Sequence, residues 1–236
     1  MPAIVTAVVL GQVASVAAGE VMLNVGGLTV NVPIVSRAEM PFQTVVRQQF
    51  DYSCGAAAVA TLLTYHYDRS TTEREALEAM FARGDQEKIR VEGFSMLDMK
   101  DYLDGLGLTA DGFRIRLDTF AQEQVPGIAL IDLNGYKHFV VLKGIVGDQV
   151  LVGDPALGVK AYPREEFEQM WNEILLVITA DMEQAQQHFN QVADWRLRPN
   201  APMWAALDRG SLGAFSMGMP GRVMPIRPVI HLGDFQ

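Results

Sequence analysis

The run from Gly55 to Tyr67, Gly-Ala-Ala-Ala-Val-Ala-Thr-Leu-Leu-Thr-Tyr-His-Tyr, is alanine-rich and apolar on nearly every side. Alanine and leucine favour a helix, and a helix without a polar face has to be buried. The composition can supply the surrounding core, because 49% of the 236 residues are hydrophobic and only 20% are charged. That balance excludes a disordered tail protein and a coiled coil.

The remaining pattern places this helix in an α+β domain. Val21 to Val35 alternates around Gly26-Gly27, which reads as a hairpin turn. Thr71 and Thr72 can cap a helix from about Glu73 to Ala82, and Ser95 opens another. In the latter, Leu97, Met99, Leu103 and Leu106 are spaced as a core-facing stripe. After Gly112 the sequence turns to strands: Phe113–Leu117, Gly127–Asp132, His138–Ile145, Val150–Gly153, Val159–Tyr162 and Ile174–Thr179. A short helix over Pro163–Trp171 interrupts them, and Met182–Arg196 carries a helical stripe of Phe189, Val192 and Trp195. Helices followed by short strands predict an α+β fold with an antiparallel sheet.

Two ends differ from this middle. Residues 1–18 bear no charged side chain and finish in Val16-Ala17-Ala18. This suits the apolar region and cleavage site of a secretory signal, although no basic residue precedes it. The expectation is export to the periplasm and a mature protein without a membrane span; the alternative is a retained apolar strand or helix in a cytoplasmic protein. Residues 19–40 form the hairpin segment, 41–180 the main domain, and 181–236 a helix with a Pro-, Gly- and Met-rich extension, a place for an interaction partner. With 19 basic and 28 acidic residues the formal charge is −9, so the chain has no general attraction for nucleic acid or an anionic membrane surface.

The chemistry centres on Arg47-Gln48-Gln49-Phe50-Asp51-Tyr52-Ser53-Cys54-Gly55. Cys54, the single cysteine, excludes an internal disulfide and stands where a loop turns into the buried helix. It is either a small buried hydrophobe or a reactive thiol favoured by the helix N-terminus. Gln48 carries a neutral amide that can donate to an oxyanion. His138 heads an apolar strand, where it can face a cleft and take a proton from a thiol, or be a solvated strand end. Asp154, in Val152-Gly153-Asp154-Pro155, follows the next strand, so hairpin geometry can set its carboxylate beside His138; the plainer reading is a turn.

Gln48, Cys54-Gly55, His138 with its apolar strand, and Asp154-Pro155 together resemble the C39 family of papain-like cysteine peptidases, which remove double-glycine leader peptides. The resemblance covers roughly Pro41 to Ala180, and the Gln-to-Cys interval matches the family pattern. It implies a papain-like fold, with N-terminal helices packed on an antiparallel β-sheet. It implies Cys54 as nucleophile, His138 as base and then acid, Asp154 as orienter, and Gln48 with the Cys54 N–H as oxyanion hole. The substrate would be a protein or peptide cut after small residues such as Gly-Gly, with no cofactor and no metal. Bacteriocin processors of this family are fused to a transporter. A free-standing, exported chain with a C-terminal extension is more similar to the C39-type members of functional-amyloid secretion systems.

Other readings stay open at this point. The same fold without cutting can serve as a leader-binding adaptor or chaperone, and the same triad supports other acyl transfers. His66 reads as a packing residue, while His188 and His231 are isolated. Gly26-Gly27 is better read as a turn than as a self-processing site.

Overall fold

A computed structural model describes residues 19–198 apart from 26, 27, 35 and 134. By internal contacts the chain divides into Met1–Pro199 and Asn200–Gln236, and every described residue belongs to the first unit. The expected signal segment, the Gly26-Gly27 turn and the Pro-, Gly- and Met-rich extension lie outside the described residues.

Strands β1 (Gly19–Val25) and β2 (Leu28–Ile34) pair antiparallel as a two-stranded sheet. Four helices follow: α1 (Cys54–His66), α2 (Glu73–Arg83), α3 (Gln86–Glu92) and α4 (Met96–Gly105). Then come β3 (Ala110–Arg114), α5 (Leu117–Glu123), β4 (Gly127–Leu133), β5 (Tyr136–Val146), β6 (Gln149–Asp154), β7 (Gly158–Pro163), α6 (Arg164–Met170) and β8 (Trp171–Ile178). Two short helices, α7 (Met182–Gln187) and α8 (Val192–Leu197), end the described chain.

The second sheet has the order β3-β8-β4-β5-β6-β7, and all its pairings are antiparallel. Strands β4 to β7 are successive neighbours; α6 then returns the chain so that β8 enters between β3 and β4. The helices-on-antiparallel-sheet architecture expected from the sequence is the one found. α1 is the central helix. Ala56, Ala57, Ala58, Val59, Ala60, Leu62 and Leu63 are fully buried, in keeping with a segment that has no polar face. Small side chains along it allow close packing against β5.

The helix starts follow their caps. Thr72 accepts from the Glu75 N–H and Glu75 reaches back to the Thr72 N–H; Ser95 and Asp98 do the same for α4. Each such cap contributes about 1 kcal/mol.

Four local expectations need correction. α3 was not anticipated; it is capped by Asp85 and buries only Ile89. The strand expected over Phe113–Leu117 stops at Arg114, and Leu117 instead opens α5 and is buried there with Phe120. A short apolar alternation cannot distinguish a strand from a strand-to-helix junction. In α4 the buried stripe is Met99, Tyr102 and Leu103, whereas Leu97 is 62% exposed. Leu97 stands two positions before Met99 and so lies on the opposite side of the helix. Finally, the helix expected over Met182–Arg196 breaks near Asn190, whose φ is +54°, and Val192 is exposed at the start of α8.

A second apolar cluster, Val45, Leu151 and Val159 with Phe42, Trp195 and Leu197, packs α8 near the segment that leads to Gln48. Beside it Lys143 of β5 is fully buried. Its ammonium donates to Thr44 O (2.8 Å) and Thr44 Oγ1 (2.9 Å) and pairs with Asp194 Oδ2 of α8 (3.1 Å).

Candidate active site

Cys54 is the first residue of α1 and 7% exposed, at the edge of a cleft of about 640 Å³. The cleft runs past Tyr52, Phe94, Tyr136 and Phe139 toward Asn172 and Ile174 of β8. Ser53 precedes the helix, but its hydroxyl makes no cap bond to it. An uncapped helix start leaves backbone N–H groups free beside the thiol.

His138 is the third residue of β5 and Asp154 the last of β6, and the β5–β6 hairpin brings them together. The His138 Nε2–H donates to Asp154 Oδ1 at 2.8 Å, with the two residues 2% and 0% exposed. This is neither a solvated strand end nor a plain turn. The same Asp154 oxygen accepts from the N–H groups of Ala156 (2.8 Å) and Leu157 (3.2 Å), so the turn after β6 fixes the carboxylate. With Nε2 on the carboxylate, the ring presents Nδ1, which is buried and has no hydrogen-bond partner of its own.

The electrostatics bind Cys54 into the same group. Burial acts most strongly on His138 and lowers its proton affinity. The hydrogen bond to Asp154, with the influence of the nearby Cys54 sulfur and the charges of both, outweighs it and raises the imidazole to about 9. Such an imidazole holds a proton at neutral pH.

Gln48 lies in the loop before α1. Its N–H donates to Pro155 O (2.9 Å), which ties it to the turn after Asp154. Its Nε2 donates to Phe50 O at 3.2 Å, leaving a second amide hydrogen, while Oε1 is buried without a partner. A buried polar atom left unpaired is uncommon outside functional sites. His138 and Asp154 are thus joined directly, Gln48 is tied to them through the turn after β6, and Cys54 stands at the start of α1.

Three further residues were not foreseen. Tyr136, two residues before His138 on the same face of β5, stacks on its imidazole with centroids 6.0 Å apart and planes at 25°. Period-two spacing along the strand was the available signal. Ser53 and Glu73 form a buried pair, Oγ to Oε1 at 2.5 Å, and nothing in the sequence marked them. Among the described residues no group of His, Cys, Asp and Glu could hold a metal ion, and no helix is long and apolar enough to cross a membrane.

Residues 43–183 match the model of the Peptidase C39 family. The chain is 44% identical over 153 residues to the "Probable functional amyloid protease FapD" of Pseudomonas aeruginosa, covering 65% of this chain and 68% of that protein. It is 39% identical over 156 residues to the protein of the same description from Pseudomonas fluorescens, covering 66% and 69%. Among solved structures, a double glycine motif protease from an AMS/PCAT transporter in complex with the leader peptide aligns with a TM-score of 0.48 and 29% identity, over 56% of this chain and 88% of that one.

Proposed function

The chain belongs to the peptidase C39 family, and on that premise we propose that it is a cysteine endopeptidase that trims an exported protein in a functional-amyloid secretion pathway. The relatives described as functional amyloid proteases support the pathway. The observation that carries the chemistry is the buried His138–Asp154 pair acting on Cys54 at the start of α1.

In this mechanism Cys54 gives its proton to His138 Nδ1, and the sulfur attacks the scissile carbonyl carbon. The S–C bond forms while the carbonyl π pair becomes the oxyanion, held by the Cys54 N–H and the second Nε2 hydrogen of Gln48. His138 then delivers its proton to the leaving amine as the C–N bond breaks. Water, deprotonated by His138, attacks the thioester and releases the thiolate. Asp154 keeps the tautomer and stabilises the imidazolium without taking its proton. The raised proton affinity of His138 suits it to hold the proton that Cys54 gives up.

The aromatic residues Tyr52, Phe94, Tyr136 and Phe139 crowd the cleft around the thiol. They favour a substrate with small residues such as Gly-Gly before the cut, anchored further along the cleft. The uncharged stretch at residues 1–18 supports a periplasmic place of work, and the extension beyond Arg198 a partner in the secretion machinery. A non-cleaving adaptor of the same fold is the lesser reading, because binding alone has no use for a thiol beside a buried His–Asp pair.

The test is intact-mass analysis of candidate exported proteins co-expressed with wild type or with Cys54→Ala. A partner shortened by the wild type and left whole by the variant supports the reading. Identical masses in the two cases overturn it.

A further inference from the structure

Glu73, the first residue of α2, is a buried carboxylate that the mechanism above does not use. It is 4% exposed, and among the described residues it pairs with no Lys or Arg. A charge kept in the interior without a counter-ion is costly unless hydrogen bonds hold it. Its partners here all belong to the segment between Gln48 and Cys54. Glu73 Oε1 accepts from the Gln49 N–H at 2.8 Å and from Ser53 Oγ at 2.5 Å.

The direction of the second bond matters. A serine hydroxyl has one hydrogen. Ser53 Oγ lies within reach of two acceptors, Glu73 Oε1 at 2.5 Å and Phe50 O at 2.8 Å. The Glu73 oxygen is the nearer acceptor, so it takes the hydrogen. Ser53 Oγ then accepts from the Phe50 N–H at 3.2 Å. Phe50 O, which already takes the Ser53 N–H at 3.2 Å, has its remaining lone pair left for Gln48 Nε2, also at 3.2 Å. A chain of hydrogen bonds thus runs Glu73, Ser53, Phe50, Gln48, and a second tether reaches the residue after Gln48 directly. If the carboxylate were absent, the Ser53 hydroxyl would turn to Phe50 O and compete with the Gln48 amide for it.

We infer that Glu73 is a positioning residue of the oxyanion hole, acting through Ser53 and Phe50 to aim the carboxamide of Gln48. The inference rests on the proposed thiol chemistry. It adds a residue from a separate helix whose effect appears only where an oxyanion forms. The same contacts explain why Ser53 does not cap α1: its hydroxyl is committed to the carboxylate, which leaves the helix N–H groups uncovered beside Cys54.

The experiment uses the full chain and two thiol probes. Acetyl-glycyl-glycinal adds reversibly to the thiol: an S–C bond forms, the carbonyl π pair passes to oxygen, and the thiol proton rests on His138 opposite the resulting oxyanion. Its affinity therefore reads the oxyanion hole. Iodoacetamide alkylates Cys54 with loss of iodide and creates no oxyanion, so its rate reads the thiol alone. Glu73→Ala should weaken the aldehyde about tenfold or more while changing the alkylation rate less than about twofold. In a Gln48→Ala background the same change should cost less than about threefold, because the group it positions is gone.

Ser53→Ala, a milder change that keeps the Gln49 tether, should shift aldehyde affinity selectively in the same direction. It carries the test if Glu73→Ala does not fold. Unchanged aldehyde affinity in both variants overturns the inference. So does an equal loss in the two probes, which would make Glu73 a support of the whole helix start, and so does full additivity with Gln48→Ala. A wild-type protein that is alkylated at Cys54 but does not bind the aldehyde would bring down the acyl-transfer reading itself, and the inference with it.

Discussion

His138 Nε2 and Asp154 Oδ1 lie 2.8 Å apart, which turns the ring so that its other nitrogen, Nδ1, is the one left for Cys54. Two adjacent strands set this relationship: His138 stands near the start of β5 and Asp154 at the end of β6, and antiparallel pairing returns one to the other. The carboxylate is rigid because two backbone N–H groups of the following turn bind the same oxygen.

The first prediction concerns pH. With His138 raised to about 9, cleavage should hold through neutral pH and fall as the imidazole loses its proton near pH 9. The stability contribution has the same sign. A folded value above the unfolded 6.5 stabilises fully below 6.5, and that stabilisation disappears as pH rises through 9. Asp154→Asn removes the largest raising influence, so the alkaline limb should move down. Peptide cleavage and thermal melts between pH 6 and 10, for wild type and this variant, would check both. An unmoved limb would mean that another group controls it.

Tyr136 covers the imidazole from the solvent side, and its hydroxyl lies 3.4 Å from Asp51 O in the loop before Cys54. Aromatic stacking contributes about 0.5–1.5 kcal/mol. Tyr136→Ala should therefore lower kcat/KM by about two- to tenfold, and Tyr136→Phe should change it little, since the contact to Asp51 is long. Steady-state kinetics on a Gly-Gly peptide would separate stacking from the hydroxyl bridge.

The Lys143–Asp194 pair ties α8 to β5 and to Thr44, four residues before Gln48. Burial lowers the proton affinity of Lys143, and Asp194 opposes that. Removing one partner of such a pair costs about 3–5 kcal/mol, because the other stays buried and unpaired. Asp194→Ala should show that loss in urea unfolding, and Lys143→Met added to it should restore much of the stability. The pair also joins residue 194 to a family match that ends at 183.

His66 is 1% exposed at the end of α1, and neither ring nitrogen has a hydrogen-bond partner. Burial, then the charges of Lys143 and of His188, hold its proton affinity well below the usual 6.5. A lowered histidine costs stability as pH falls below 6.5, where the unfolded chain takes the proton and the folded one does not. His66→Leu should flatten the acid side of the stability profile by up to about 1.4 kcal/mol per pH unit. Melts of both proteins from pH 4 to 7 give the answer, and parallel curves would refute it.

Much of this protein was legible in the sequence because the signals are local. An apolar run without a polar face had to become the buried α1, Thr72 and Ser95 had to start helices, and alternating strands after Gly112 had to make a sheet. Gln48, Cys54, His138 and Asp154 could be picked out by residue type and setting. Which nitrogen of His138 meets the carboxylate, that Tyr136 stacks on the ring, and that Glu73 and Asp194 reach the Gln48 segment from other helices were decided only by the tertiary structure. The contacts made from other helices join residues far apart in the chain, 20 positions for Ser53 with Glu73 and 150 for Thr44 with Asp194. Periodicity and capping report what a residue does within a turn or two of its own chain. Hydrogen bonds between distant elements depend on how helices and sheet pack, and that is set by the whole core at once.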